Sequence, residues 1–170
     1  MATAEDIVQF WFGPTPGERR KVWFMKDPAF DAQISARFMP AYEAAADGTL
    51  ADWKNGARES LALIVLTDQF PRNMFRGSDR AFATDPIALA TSPHLISSGW
   101  YAILTPVEPI FFYLPFLHCS ILPDQYLSLS LFYPLPSFPY PSHASASSPP
   151  PLVFSSPFAP FPPPPPPLPP

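Results

Sequence analysis

Charge is almost missing from the second part of this chain. Beyond Trp100 only Glu108 and Asp124 are ionisable acids, and no Lys or Arg follows Arg80. A soluble domain needs a charged skin over its core, so function is sought before about Tyr133. Cysteine is nearly missing too. The one thiol, Cys119, excludes an internal disulfide framework and fits a reducing compartment. With only six glycines there is no phosphate-cradling Gly-rich loop, and no GxSxG, HExxH or CxxC pattern occurs. No metal site, cofactor or nucleotide-dependent chemistry is therefore expected. A net charge of -4, without basic–aromatic interleaving, argues against a nucleic-acid partner. No apolar run reaches the roughly 18 residues of a transmembrane helix. The best, Ile110 to Leu117, is broken by Pro115 and reads as a buried helix segment, so no membrane partner is expected. Glu5 and Asp6 stand where a signal peptide needs basic residues, which makes cytoplasm the expected location.

What is present up to Trp100 reads as helix. Thr3 followed by Glu5 and Asp6 predicts a capped amphipathic helix through Phe12, ended by Gly13-Pro14. Asp27-Pro28 predicts a second start, with Asp as N-cap and Pro in the first turn. Phe30, Ile34, Phe38 and Tyr42 then fall four apart on one face. Pro40 is expected to kink or divide this helix, and Asp47-Gly48 to stop it. Leu50 to Trp53 reads as a short turn. Arg58 to Gln69, apolar nearly all round from Leu61 to Leu66, reads as the central buried helix. Pro71 and Gly77 bracket an irregular segment, and Asp79 is expected to cap a short turn through Phe82. Asp85-Pro86 repeats the Asp-Pro start, Pro93 interrupts that helix, and Gly99 ends it. Thr105-Pro106-Val107-Glu108 has the form of a capping box, although Pro109 and Pro115 follow. The aromatic residues at helical spacing read as core.

After that the chain changes. Of its 28 prolines, 21 follow Trp100, and 37 of the 44 residues from Leu127 to Pro170 are Phe, Leu, Ser or Pro. Those four are the residues that pyrimidine-only codons encode. A tail so rich in Phe and Leu does not resemble ordinary polar disorder, and it reads as a decayed or corrupted coding stretch. The alternative is a genuine Pro-rich linker or ligand for aromatic-groove domains. The expected organisation is a helical domain over 1–133, degraded after about 100, and a low-complexity, disordered or artefactual tail over 134–170.

The densest polar cluster beside an apolar helix is Asp68, Gln69, Arg72, Asn73 and Arg76. Arg72, Arg76 and Arg80 recur every four residues; on one helix they would line a face able to bind phosphate or carboxylate. Pro71 and Gly77 weigh against a continuous helix there. The structural alternative is a buried Asp68–Arg72 ion pair with Asn73 capping the loop backbone. His118 closes the Ile110–Leu117 run. It would act as a general base only beside a carboxylate or bound water, and otherwise reads as a half-buried hydrogen-bonding histidine. No pattern supports Cys119 as a nucleophile.

The stretch from Ser60 to Ala90, with its Asp68-Gln69-Phe70-Pro71-Arg72-Asn73 block, resembles a bacterial family known as domain of unknown function 924. Phe10-Trp11-Phe12-Gly13, Trp23-Phe24-Met25-Lys26-Asp27, Asp31, Phe38, Leu50 to Trp53 and a weaker Phe111 to His118 agree with it, so the resemblance covers about residues 5–133. It implies an all-α fold of TPR-like antiparallel helical hairpins, and it matches His118 to the family's histidine. The family pattern there is His-Ser-Glu-Asp, whereas this chain has His118-Cys119-Ser120-Ile121. Arg is expected near Pro109, and the family's closing Phe-Gly-Arg-Phe-Pro-His-Arg-Asn type segment does not occur. The sequence leaves three functions open: a small anionic ligand held by Asp68, Gln69, Arg72, Asn73, Arg76 and His118; a helical-repeat scaffold for a protein partner; or a non-functional truncated or corrupted product. It does not decide whether the chain is an enzyme.

Overall fold

Every regular element in a computed structural model of the chain, over the described residues 1–15, 17–100 and 104–119, is helical. The first helix, α1 (Ala4–Phe12), starts in a capping box in which the Asp6 N–H donates to Thr3 Oγ1 at 3.2 Å and the Thr3 N–H donates to Asp6 Oδ2 at 2.8 Å. These reciprocal bonds satisfy two donors that a helix start leaves open. The α1 face carrying Ile7, Val8, Trp11 and Phe12 is buried. At its far end Gly13 turns the chain with φ 80°, a left-handed conformation that other residues rarely adopt. Arg20 then reaches back, and its Nη1 donates to the carbonyls of Phe10 and Trp11 at 2.6 and 2.7 Å. The Trp23 indole donates to the Trp11 carbonyl at 2.9 Å. The loop after α1 is thus sewn onto the helix end it leaves.

Helix α2 (Pro28–Ala46) begins as expected, with Asp27 Oδ1 accepting from the Ala29 and Phe30 N–H groups at 3.0 and 3.1 Å. Phe30, Ile34, Phe38 and Tyr42 are all buried. Pro40 does not divide this helix. The carbonyl it deprives of a donor belongs to Ala36, four residues earlier; Ala36 and Pro40 are both exposed, so solvent can take that bond.

The central segment is α3 (Ala57–Ile64), a single π-helical turn over Val65–Gln69, and the short α4 (Phe70–Met74). Every residue from Ser60 to Asp68 is buried, which bears out the central-helix reading. The stretch after Pro71, expected to be irregular, is helical as far as Met74, because Pro71 falls in the first turn of α4 where its missing N–H is tolerated. Gly77, at φ 79°, keeps the chain from continuing as helix to Arg80.

A 3-10 turn over Asp79–Phe82 is capped by Ser78 rather than Asp79. Helix α5 (Asp85–Ser97) starts one residue earlier than an Asp-capped helix would, with Thr84 at the N-cap position. It also runs through Pro93. There the carbonyl left without its donor is that of Leu89, a half-buried residue, while the hydroxyls of Thr91 and Ser92 donate back to the carbonyls of Ile87 and Ala88 at 2.8 and 3.0 Å, contacts of the kind that bend a helix without ending it. The capping box at Thr105 forms only half: the Thr105 N–H donates to Glu108 Oε2 at 2.8 Å, and α6 (Ile110–His118) starts after Pro109.

Helix α3 packs against α1, α5 and α6, while α2 packs against α4. Between them lies a continuous cluster of rings. Phe10, Trp11, Phe30, Phe38, Phe70 and Phe111 are linked by centroid separations of 4.9 to 6.1 Å. Each fully buried ring of this size contributes about 1.5–3 kcal/mol, so this cluster is a substantial part of what holds the helices together. Among the described residues no helix is long and apolar enough to cross a membrane. The described residues all fall within the unit Met1–Phe138. The expected boundary at 133/134 and the Pro-rich tail lie outside the described residues.

Candidate functional site

Proline cannot donate a backbone hydrogen bond, and its ring clashes with the carbonyl four residues back. For Pro71 that carbonyl belongs to Thr67. The helix widens just before this point, and the Phe70 N–H bonds to the Val65 carbonyl five residues back. The Thr67 carbonyl accepts instead from the buried hydroxyl of Thr84 at 2.6 Å. The Asp68 carbonyl accepts from Arg72 Nη1. Single π turns of this kind are frequent at functional sites, and this one carries Asp68 and Gln69.

Asp68 is fully buried. A carboxylate so placed must be fully partnered, and three residues see to it. The Gln69 amide donates to Oδ2. Arg72 Nη1 lies 3.1 Å from Oδ1. The His118 Nδ1 stands 2.7 Å from the same oxygen. Arg72 is held in turn by Asp85, with Nη1 and Nη2 each 2.9 Å from one carboxylate oxygen. This two-pronged arrangement fixes the plane of the guanidinium, whose carbon also sits 5.2 Å from the Phe82 ring centre. Asp85, expected to cap α5, is thus turned to hold Arg72.

A carboxylate only accepts hydrogen bonds, so the nitrogen facing it carries a proton. That places the His118 proton on Nδ1 and directs Nε2 away from Asp68. The His118 side chain is 28% exposed while Asp68 is 0% exposed. Among the described residues Nε2 has no hydrogen-bond partner. The arrangement is an imidazole oriented by a buried acid, with its second nitrogen left to accept a proton or a hydrogen bond.

Of the six residues the sequence singles out, the structure brings Asp68, Gln69, Arg72 and His118 together. Asn73 and Arg76 belong to a neighbouring cluster around Asp31. Asn73 Nδ2 donates to Asp31 Oδ1 at 2.7 Å, and Arg76 donates through Nε and Nη2 to its two oxygens at 2.6 and 3.0 Å. Asn73 therefore ties α4 to α2 and does not cap the loop backbone. Burial pushes the Asp31 carboxyl up, but the bonds from Arg76 and Asn73 and the Arg76 charge outweigh it and hold it below the usual value. Arg80 goes to Glu43 and lies 4.2 Å from the Phe75 ring centre. The three arginines spaced four apart thus end on different acids, none of them shared, and they form no common anion-binding face.

Asp85, Asp31 and Thr84 were not legible as site residues. Asp85 was masked by its resemblance to a helix cap. Asp31 lies 45 residues from Arg76 in the sequence, and only its place in the family pattern pointed to it. A separate depression of about 500 Å³ is lined by Ala45, Leu50, Leu63, Ile87 and Ala90 among others. It is mainly apolar and shares no residue with the His118 cluster.

The fold and the site define an all-α protein built around a bulged central helix, with a histidine seated on a buried aspartate. The family model described as bacterial protein of unknown function (DUF924) matches residues 7–144, and the chain belongs to that family. A solved structure of a protein of unknown function from Agrobacterium tumefaciens is similar to it, with 42% sequence identity and a TM-score of 0.71. That similarity covers 78% of this chain and 73% of the other. Among curated proteins, none matches.

Proposed function

We propose that the chain binds a small polar ligand at His118, with Nε2 accepting a hydrogen bond or a proton from it. The observation that supports this is the 2.7 Å contact between His118 Nδ1 and a carboxylate with no solvent exposure. Keeping an acid dry and aiming it at a half-open imidazole is how proteins set a histidine's tautomer and ring orientation. Asp68, Arg72 and His118 meet in one cluster, which supports a ligand site over a repeat scaffold.

The cluster also narrows the ligand. Arg72, Arg76 and Arg80 each already meet a carboxylate. An anion competing for Arg72 has to displace Asp85 from a two-pronged contact. The favoured anionic ligand is therefore one that carries a transferable proton as well, such as a hydroxy acid or a phosphate monoester, so that His118 makes the first contact. TPR-like helical hairpins, which the family resemblance implies, are the frame we infer for this site.

A thermal-shift screen of small polar metabolites, ionic and neutral, tests the reading. A compound that raises Tm in the full chain should lose its effect in His118→Gln and weaken in Arg72→Ala. Compounds that stabilise the wild type and His118→Gln equally would disprove it.

A further inference from the structure

We infer that Thr84 and Pro71 together position the Asp68–His118 pair, through the Thr67 carbonyl. The inference rests on the ligand reading for its purpose but on separate contacts for its evidence. Pro71 removes the donor that an α-helix would send to the Thr67 carbonyl. A buried carbonyl left open is costly. The structure closes it from outside the helix: Thr84 is 3% exposed, and its hydroxyl donates to Thr67 O at 2.6 Å. The Thr67 hydroxyl itself donates to the Leu63 carbonyl at 2.7 Å. The turn before the bulge is thereby clamped on one side and the bulged residue on the other.

The consequence is directional. A π turn inserts extra winding, so a side chain within it points to a different face than an α-helix would give it. Asp68 sits in that turn and reaches His118, 50 residues away in sequence. The next residue after Thr84 is Asp85, which holds Arg72. One short segment therefore secures both the backbone that carries Asp68 and the guanidinium beside it. Among the described residues Thr84 makes no hydrogen bond to His118 or Asp68; it is a positioning residue, acting through the Thr67 carbonyl.

Pro71→Ala separates this from a plain stabilising role. It restores the backbone donor and replaces proline by the best helix former, so the turn can relax towards a regular α-helix. Stability should hold or rise, while the Asp68–His118 contact is lost. Thr84→Val should disturb the contact by leaving the carbonyl unpaired, and Thr84→Ser should preserve it. The readout is the imidazole of His118 in the full chain, followed by NMR with 15N-labelled histidine. The wild type should show a downfield Nδ1 proton that disappears in Asp68→Asn. In Pro71→Ala that proton should disappear or move upfield with Tm unchanged or higher, and in Thr84→Ser it should stay. A Pro71→Ala protein that keeps the wild-type resonance overturns the inference. The same resonance surviving in Asp68→Asn would instead remove the pair itself, and with it the ligand reading.

Discussion

Two arginines in this protein each bridge two acids, and they come to different ends. Arg58 joins Glu5 at 3.2 Å to Glu108 at 2.6 Å. Arg72 joins Asp68 at 3.1 Å to Asp85 at 2.9 Å. In both, one acid is buried and the other more exposed. In the first, the buried Glu108 spends its remaining capacity on the Thr105 N–H, and every strong group is satisfied within the chain. That cluster is closed: it staples α1 and the turn before α6 onto α3. In the second, the buried acid spends its remaining capacity on a histidine whose second nitrogen has no partner among the described residues. The same charge pattern is a fastener where it ends on backbone and a candidate site where it ends on an imidazole.

The largest way to break this comparison is at Asp68. Asp68→Asn takes the carboxylate away from three donors at once, Gln69, Arg72 and His118, and each donor left unsatisfied inside the protein costs about 1–3 kcal/mol. Urea unfolding should show that loss, whereas His118→Gln, at a half-open position, should cost only about 1 kcal/mol. Equal losses would make His118 another fastener. The next effect is at Arg58. Arg58→Met strands the buried Glu108 and should cost about 1–3 kcal/mol, while Glu5→Gln, on the exposed side, should cost less than about 1 kcal/mol. Neither should alter ligand-induced shifts in Tm, and a change there would erase the distinction between the two clusters.

The smallest effect is the acid limb of stability. Asp31 has its carboxyl held below its ordinary value of 3.8 by Arg76 and Asn73 against the opposing effect of burial. A depressed folded value means the stabilisation is fully present above 3.8 and fades as pH falls through the lower folded value. Unfolding midpoints measured from pH 6 down to about pH 2 should therefore fall less steeply in Asp31→Asn than in the wild type. Parallel curves would show that the α2–α4 tie contributes nothing at low pH.

Much of this architecture could be read from residues. Thr3 and Asp27 cap the helices they were expected to cap, and the Phe30 to Tyr42 stripe is the buried face of α2. Asp68 and Arg72, four apart, form the ion pair their spacing suggested. What could not be read was set by contacts far apart in sequence. Pro40 and Pro93 look like breakers locally, yet both helices pass them, the carbonyls they deprive of a donor belonging to exposed Ala36 and half-buried Leu89. Asp85-Pro86 looks like Asp27-Pro28, yet the second aspartate is drawn off to Arg72 because Thr84 stands at the cap position. The Thr67 carbonyl, which Pro71 leaves without its helical donor, is met by the Thr84 hydroxyl across 17 residues, a contact that no helical periodicity encodes. His118 announced only that it needed a carboxylate; that the carboxylate is Asp68 is a fact of packing between α6 and the central helix.

The most direct test of the candidate site is a crystal structure of the full chain soaked with the strongest compound from the thermal-shift screen. A polar atom of that compound should lie about 2.6–3.2 Å from His118 Nε2, with Nδ1 still on Asp68. The same compound seated in the apolar depression beside Ala45 and Ile87, with His118 untouched, would contradict the account.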